Sequence, residues 1–177
     1  MKFHRDLQKA TFLRRKCDSI IEVDVNSVKT ALYCPNNGLL KKCAVLGSNI
    51  WFSLPIYTPF YVPATWQLAE IDFGELVLVN DMLCSELFIE GLKKGLIKFK
   101  NSQFNKIIIH PELSSNYEYD FNLTDGLNKF YINVVSTTDK YFPEAKYTGD
   151  CDEAKQSLYD LIHAKMLGHR AALCCFT

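Results

Sequence analysis

The stretch FYINVVSTT, Phe130–Thr138, decides how this chain is read. Alternate residues of a strand face the same side. Ile132 and Val134 therefore share one face, and Tyr131, Asn133 and Val135 share the other. The pattern is that of a buried β-strand, with Asn133 as its one polar interruption. The neighbouring sequence shows what surrounds that amide.

Upstream, KIIIHPE and YEYDFNLT read as two more strands, and Thr124-Asp125-Gly126 supplies a turn into Phe130–Thr138. Before them, NDMLCSELFIEGLKKG places Leu83, Leu87, Phe88 and Leu92 at three- and four-residue steps. That periodicity predicts a helix, with Asn80 or Asp81 as its N-cap and Gly95 as its stop. Downstream, a second helix is expected from Asp150 or Asp152, with an apolar stripe of Ala154, Leu158, Leu161, Ile162 and Met166 and a stop at Gly168. RAALCCF follows as a last strand. A helix joining two strands of one sheet favours a parallel, right-handed crossover. Residues 80–177 are thus expected to form an αβββαβ domain.

Residues 1–79 have a different texture. ATFLRR, SIIEVDV, VKTALYC, NIWFSL, WQLAEID and ELVLVN are short strand candidates. They are separated by turn signals such as Asn26-Ser27, Pro35-Asn36-Asn37-Gly38 and Gly47-Ser48. Five or six strands at this spacing predict a small closed or partly open barrel. The whole is an α+β or α/β chain of two domains.

Of the 177 residues, 48% are hydrophobic and 23% charged, which are globular values. No apolar run approaches the roughly 20 residues of a membrane helix. MKFHRDLQKATFLRRK has no apolar core of signal-peptide type, so a soluble, cytoplasmic protein with no membrane partner is expected. The seven cysteines include no Cys-x-x-Cys pair and no zinc-finger spacing. They are expected to be reduced and mostly structural, with Cys34 and Cys174 as small hydrophobes in strands. The zero net charge is uneven. Residues 1–66 hold nine Lys+Arg against four Asp+Glu, a net of +5, and the remainder is −5. A basic front suits a polyanion partner.

LQKATFLRR, LYCPNNG, LGSNIWFS, PATWQLAEID, VNDMLCSEL, YDFNLTDG, YINVVST, FPEA and GHRAAL occur in that order. This series resembles the bacterial sugar fermentation stimulation protein family across nearly the whole chain. The resemblance implies an N-terminal OB-fold-like barrel and a C-terminal restriction-endonuclease-like domain. It also implies DNA binding and an association with regulation of sugar-utilisation genes. Members continue past the GHRAAL strand. This chain reads as a divergent, C-terminally short member, whose uncovered sheet edge is expected to favour self-association.

The resemblance further implies a nuclease signature, an Asp closing one strand and Glu-x-Lys on the next. Paired carboxylates hold Mg²⁺, a hard cation that prefers oxygen ligands. The metal activates water, and the Lys adds positive charge. Here the Asp is Asp120, but the Glu position is Asn133 and the Lys position is Val135. Asn keeps an oxygen and loses the charge, and Val offers neither charge nor hydrogen bond. The expectation is a catalytically dead site with no cofactor. The alternative is a rebuilt Mg²⁺-dependent nuclease that draws on Glu118, expected on the same strand face as Asp120, and on Glu112. Lys155 or Lys140 would then approach in space.

For nucleic-acid contact the candidates are Arg14, Arg15 and Lys16, with Asn36, Asn37, Lys41 and Lys42 around the following turn and Trp66 as a stacking aromatic. Strand alternation sends Arg14 and Lys16 to one face and Arg15 to the other. Tyr33, Trp51, Phe52, Tyr57, Phe60 and Tyr61 are further exposed-aromatic candidates, against a reading in which they pack the barrel. Cys17, Asp18 and the uncharged YTPFYVPATW stand where the resemblance leads one to expect basic residues. That leaves a protein-interaction module as a further alternative. His110, His163 and His169 form no triad spacing, and His169 suits a helix end.

Overall fold

The first strands follow from alternation and turn chemistry. In a computed structural model, β1 (Gln8–Cys17), β2 (Ile20–Val25) and β3 (Val28–Tyr33) form an antiparallel meander. Ile21 and Val23 point inward and are wholly buried. Asn26 and Ser27 both take positive φ, 52° and 68°, as the tight hairpin turn between right-twisted strands requires. The Asp24 carboxylate accepts the Ser27 N–H at 2.7 Å and fixes that turn. The structure describes residues 3, 5–36, 40, 42–54, 62, 64–100, 104–136 and 151–176, with side chains in the last stretch from 155 onward.

β4 (Asn49–Ser53), β5 (Thr65–Ile71) and β6 (Glu75–Leu78) complete a six-stranded sheet of order β3-β2-β1-β4-β5-β6. A parallel pairing of Tyr33 with Thr65 joins β3 to β5 and closes the first five strands into a barrel. Its core holds Phe12, Ile21, Leu32, Ile50, Trp66, Ala69 and Val79. Burying each large apolar side chain contributes about 1.5–3 kcal/mol. Polar groups inside are relayed, since Asn80 Nδ2 donates to Gln67 Oε1 at 2.8 Å and Gln67 Nε2 to Ser53 Oγ at 3.0 Å.

The second compact unit comprises Cys84–Val135 and Cys151–Phe176, where the first is built around Met1–Leu83. It holds α1 (Cys84–Lys93), β7 (Lys106–Ile109), β8 (Phe121–Thr124), β9 (Lys129–Ser136), α2 (Cys151–Met166) and β10 (Arg170–Phe176). The sheet order is β10-β9-β8-β7. The chain is thus a mixed α+β protein with a closed five-stranded barrel and a second sheet.

β9 is covered on both faces. Phe130 and Ile132 join Phe121, Leu123 and Phe88 of α1 in one cluster. Tyr131 joins Tyr119 and the α2 residues Leu161 and Ala164 in the other. Both helices end on a left-handed glycine. Gly95 (φ +67°) lets the Leu96 N–H reach the Gly91 carbonyl, and Gly168 (φ +82°) lets the His169 N–H reach that of Ala164.

Three details differ from the sequence expectation. α1 starts at Cys84, because Asp81–Leu83 form a tighter 3-10 turn. The expected α2 stripe is rotated: Leu161 and Ala164 face the sheet, while Leu158, Ile162 and Met166 are exposed. Leucine periodicity names a face but cannot say which of two overlapping faces the sheet takes. Glu118 and Asp120 also precede β8 rather than sharing a strand face, because pairing with β7 begins only at Phe121. Among the described residues, no helix is long and apolar enough to cross a membrane.

Candidate functional site

Asn133 sits on the α2 face of β9 and is 5% exposed. Its Oδ1 accepts the Asp120 N–H at 3.1 Å. Its Nδ2 donates to Ser157 Oγ on α2 at 2.8 Å and approaches the Glu118 carbonyl at 3.3 Å. The amide's acceptor and donors are therefore both used, as burial demands. Ser157 escaped the sequence reading. The available signal was its spacing of four and seven residues from Leu161 and Ala164, which puts all three on the buried side of the helix.

Asp120 is half-buried, and its Oδ2 accepts the Val134 N–H at 2.7 Å. Burial raises its pKa above the ordinary value. The Val134 N–H and the nearby His110 oppose that rise, and Glu118 adds to it. Glu112 and Glu118 are exposed and line an open groove of about 820 Å³ together with His110, Ser114, Tyr117 and Tyr119. Among the described residues, no three His, Cys, Asp or Glu side chains converge to hold a metal ion. Val135 is partly buried, the Lys155 side chain is exposed, and Lys140 lies outside the described residues.

Tyr117 and Tyr119 of the groove belong with His163 to an aromatic cluster that sequence spacing did not reveal. The rings of Tyr117 and His163 stack at 3.7 Å, 3° from parallel. The Tyr119 hydroxyl meets His163 Nδ1 at 3.1 Å. Burial first, then the charge of Asp160, pushes the Tyr119 phenol up to about 12. These contacts fix α2 to the chain that leads into β8, and so hold Asp120 and Asn133 in register.

The basic strand of the barrel is largely engaged internally. Arg14 Nε lies 3.2 Å and Lys16 Nζ 2.6 Å from the two oxygens of Glu22, which is registered opposite Arg14 on β2. The Lys16 hydrogen bond, with Arg14 beside it, holds the Glu22 carboxyl below the usual range. Arg14 and Lys16 thus share a face, and Arg15 departs from it to donate to the carbonyls of Cys17, Asp18 and Asn36. Asn36 is buried and Lys42 is exposed, while Asn37, Lys41, Tyr57, Phe60 and Tyr61 lie outside the described residues.

Trp66 as a stacking platform is corrected. It is wholly buried, its ring packs 5.7 Å from that of Phe12, and its Nε1 donates to the Leu68 carbonyl at 2.9 Å. The inward phase of β5 carries it into the barrel core with Phe12 and Phe52. Trp51 is partly exposed, with the Lys9 ammonium 5.2 Å from its ring. Cys34 follows β3 rather than lying in it, and burial pushes its thiol up to about 11.

No family model matches the chain. A sugar fermentation stimulation protein homolog of Pasteurella multocida (strain Pm70) is 30% identical over 94% of this chain and 71% of its own length. A homolog of the same name from Actinobacillus succinogenes is 29% identical over the same shares. The structure of Pyrococcus furiosus SfsA, solved in complex with Ca²⁺, superposes with a TM-score of 0.78 at 18% identity. That superposition covers 99% of this chain and 75% of that one. The fold is shared at that distance, and the relatives place the sequence: the chain belongs to the sugar fermentation stimulation protein family.

Proposed function

We propose that the chain is a nucleic-acid-binding protein, cytoplasmic and connected with control of sugar utilisation, whose second unit is a nuclease-type fold without nuclease activity. The closed barrel supports an OB-fold-like reading of residues 1–79. The order helix, three strands, helix, strand supports a restriction-endonuclease-like reading of residues 80–177.

The observation that carries the inactive reading is Asn133. A metal-binding carboxylate would have to present a free oxygen at this position. Instead the amide is spent on the Asp120 N–H and on Ser157, inside a packed face. Asp120 Oδ2 is likewise committed to Val134. The Pyrococcus relative was solved with Ca²⁺, but this donor set does not fit such an ion. Calcium takes six to eight oxygens, and Asn133, Val135 and a carboxylate with a raised pKa are poor material for that shell.

The test is incubation with single- and double-stranded DNA and Mg²⁺, Mn²⁺ or Ca²⁺, alongside a binding titration. The expected result is binding that weakens with salt and no cleavage. Cleavage abolished by Asp120→Ala would establish a rebuilt site and overturn the inactive reading. Absence of binding at about 50 mM salt would overturn the nucleic-acid reading and favour a protein-interaction module.

A further inference from the structure

The second sheet is electrically polarised. At the end where β7 finishes and β8 begins stand Glu112, Glu118 and Asp120. The opposite end carries cations. Lys106 opens β7 and is registered with Thr124, which is registered in turn with Lys129 at the start of β9. Adjacent strands are about 4.8 Å apart, so Lys106 and Lys129 stand about 10 Å apart on one face.

Arg170 opens β10 at this same end. Its guanidinium lies 4.6 Å from the Phe130 ring, and its Nη2 donates to the Lys100 carbonyl at 3.3 Å. Phe99 packs on Phe130 at 4.7 Å, which brings in Lys98 and Lys100 on either side of it. Five cations from four segments thus ring one end of the sheet, and Lys98, Lys106 and Lys129 have no carboxylate partner among the described residues. The carboxylate nearest in sequence, Asp125, is turned into its own hairpin by N–H groups of Leu127 and Asn128 and by the Asn128 side chain.

The geometry points to this rim as a binding surface for the phosphodiester backbone of a nucleic acid, at the opposite end of the second sheet from Asp120. The inference rests on the nucleic-acid reading above and changes where the contact is made. Arg14 and Lys16 share a carboxylate with each other, whereas the rim holds point charges that suit phosphates. The four lysines carry no planar fork, and the one guanidinium, Arg170, is turned onto the Phe130 ring and the Lys100 carbonyl, so the rim offers phosphate contacts in place of base reading and the contact is sequence-independent. Leu96, Ile107 and Leu127 are exposed apolar residues beside these cations, so an anionic membrane is the partner that the vesicle arm of the test separates from nucleic acid.

The test is the salt dependence of fluorescence-anisotropy binding to a double-stranded DNA, for wild type, Lys98→Gln/Lys106→Gln/Lys129→Gln, and Arg14→Gln/Lys16→Gln. Circular dichroism checks that each variant is folded. The triple variant is expected to lose about 0.9 of the log–log salt slope per lysine, close to 3 in all, and at least about tenfold in affinity at low salt. A triple variant that binds with wild-type affinity and slope overturns the rim alone. Wild type that binds no nucleic acid overturns the rim together with the nucleic-acid reading. Vesicles containing phosphatidylglycerol that bind through the same lysines, where DNA does not, assign the rim to lipid and overturn it as proposed.

Discussion

Asn133 and Asp120 brace the open end of the β8–β9 pair from opposite sides. The Asn133 side-chain oxygen accepts the Asp120 N–H at 3.1 Å, and the Asp120 carboxylate accepts the N–H of Val134, the residue after Asn133, at 2.7 Å. Each side chain satisfies the other strand's backbone just where the β8–β9 ladder stops. The two side chains act together as a polar clasp.

Removing one half of the clasp exposes its worth. Asn133→Ala leaves the Asp120 N–H and Ser157 without their partner inside a packed face. The expected loss is about 1–3 kcal/mol of unfolding free energy, the cost of buried unsatisfied groups. Urea denaturation measures it. A variant as stable as wild type would mean that the bonds contribute nothing net.

The pH dependence of the clasp has a definite sign. Burial raises the Asp120 pKa, so between its unfolded and folded values the folded state holds the proton more tightly. That contribution to stability is therefore greatest in acid and declines as pH rises from about 3.8 through the raised value. Asp120→Asn keeps an acceptor for Val134 and removes the titration. Wild-type stability minus that of Asp120→Asn should fall over this interval and level off above it. A difference that increases with pH would contradict the burial argument.

Tyr119 should behave as a late-ionising tyrosine. With its phenol pushed to about 12, it stays protonated while exposed tyrosines titrate near 10. Stability tied to it declines as pH climbs from 10 towards 12. Tyr119→Phe should remove the last phenolate absorbance step and cost about 1 kcal/mol at neutral pH through the lost bond to His163. Persistence of that last step in the variant would assign it to another tyrosine.

Trp66 supplies a test of fold against contact. Trp66→Ala should cost about 3–5 kcal/mol by opening a cavity in the barrel. Trp66→Phe should retain the fold and any DNA affinity. A large loss of affinity in a stable Trp66→Phe variant would return the residue to the binding surface.

Periodicity and turn chemistry fixed the elements from local sequence. Strand alternation found β1 to β6 within two residues, Asn26-Ser27 turned the first hairpin, and Gly95 and Gly168 ended the helices, because each of these depends on residues a few positions apart. The motif order also reached the family. Barrel closure through Tyr33 and Thr65 needed the tertiary structure, since those residues are far apart in the chain. So did the choice of face for α2, where Leu161 and Ala164 were taken and Leu158 and Ile162 were left outside. The sequence by itself determined that the polar interruption of this apolar strand is an uncharged amide, Asn133. Only the fold decided that this amide is enclosed, because Ser157 and the Asp120 N–H reach it across a helix and a neighbouring strand, and a buried amide must find its partners wherever packing brings them.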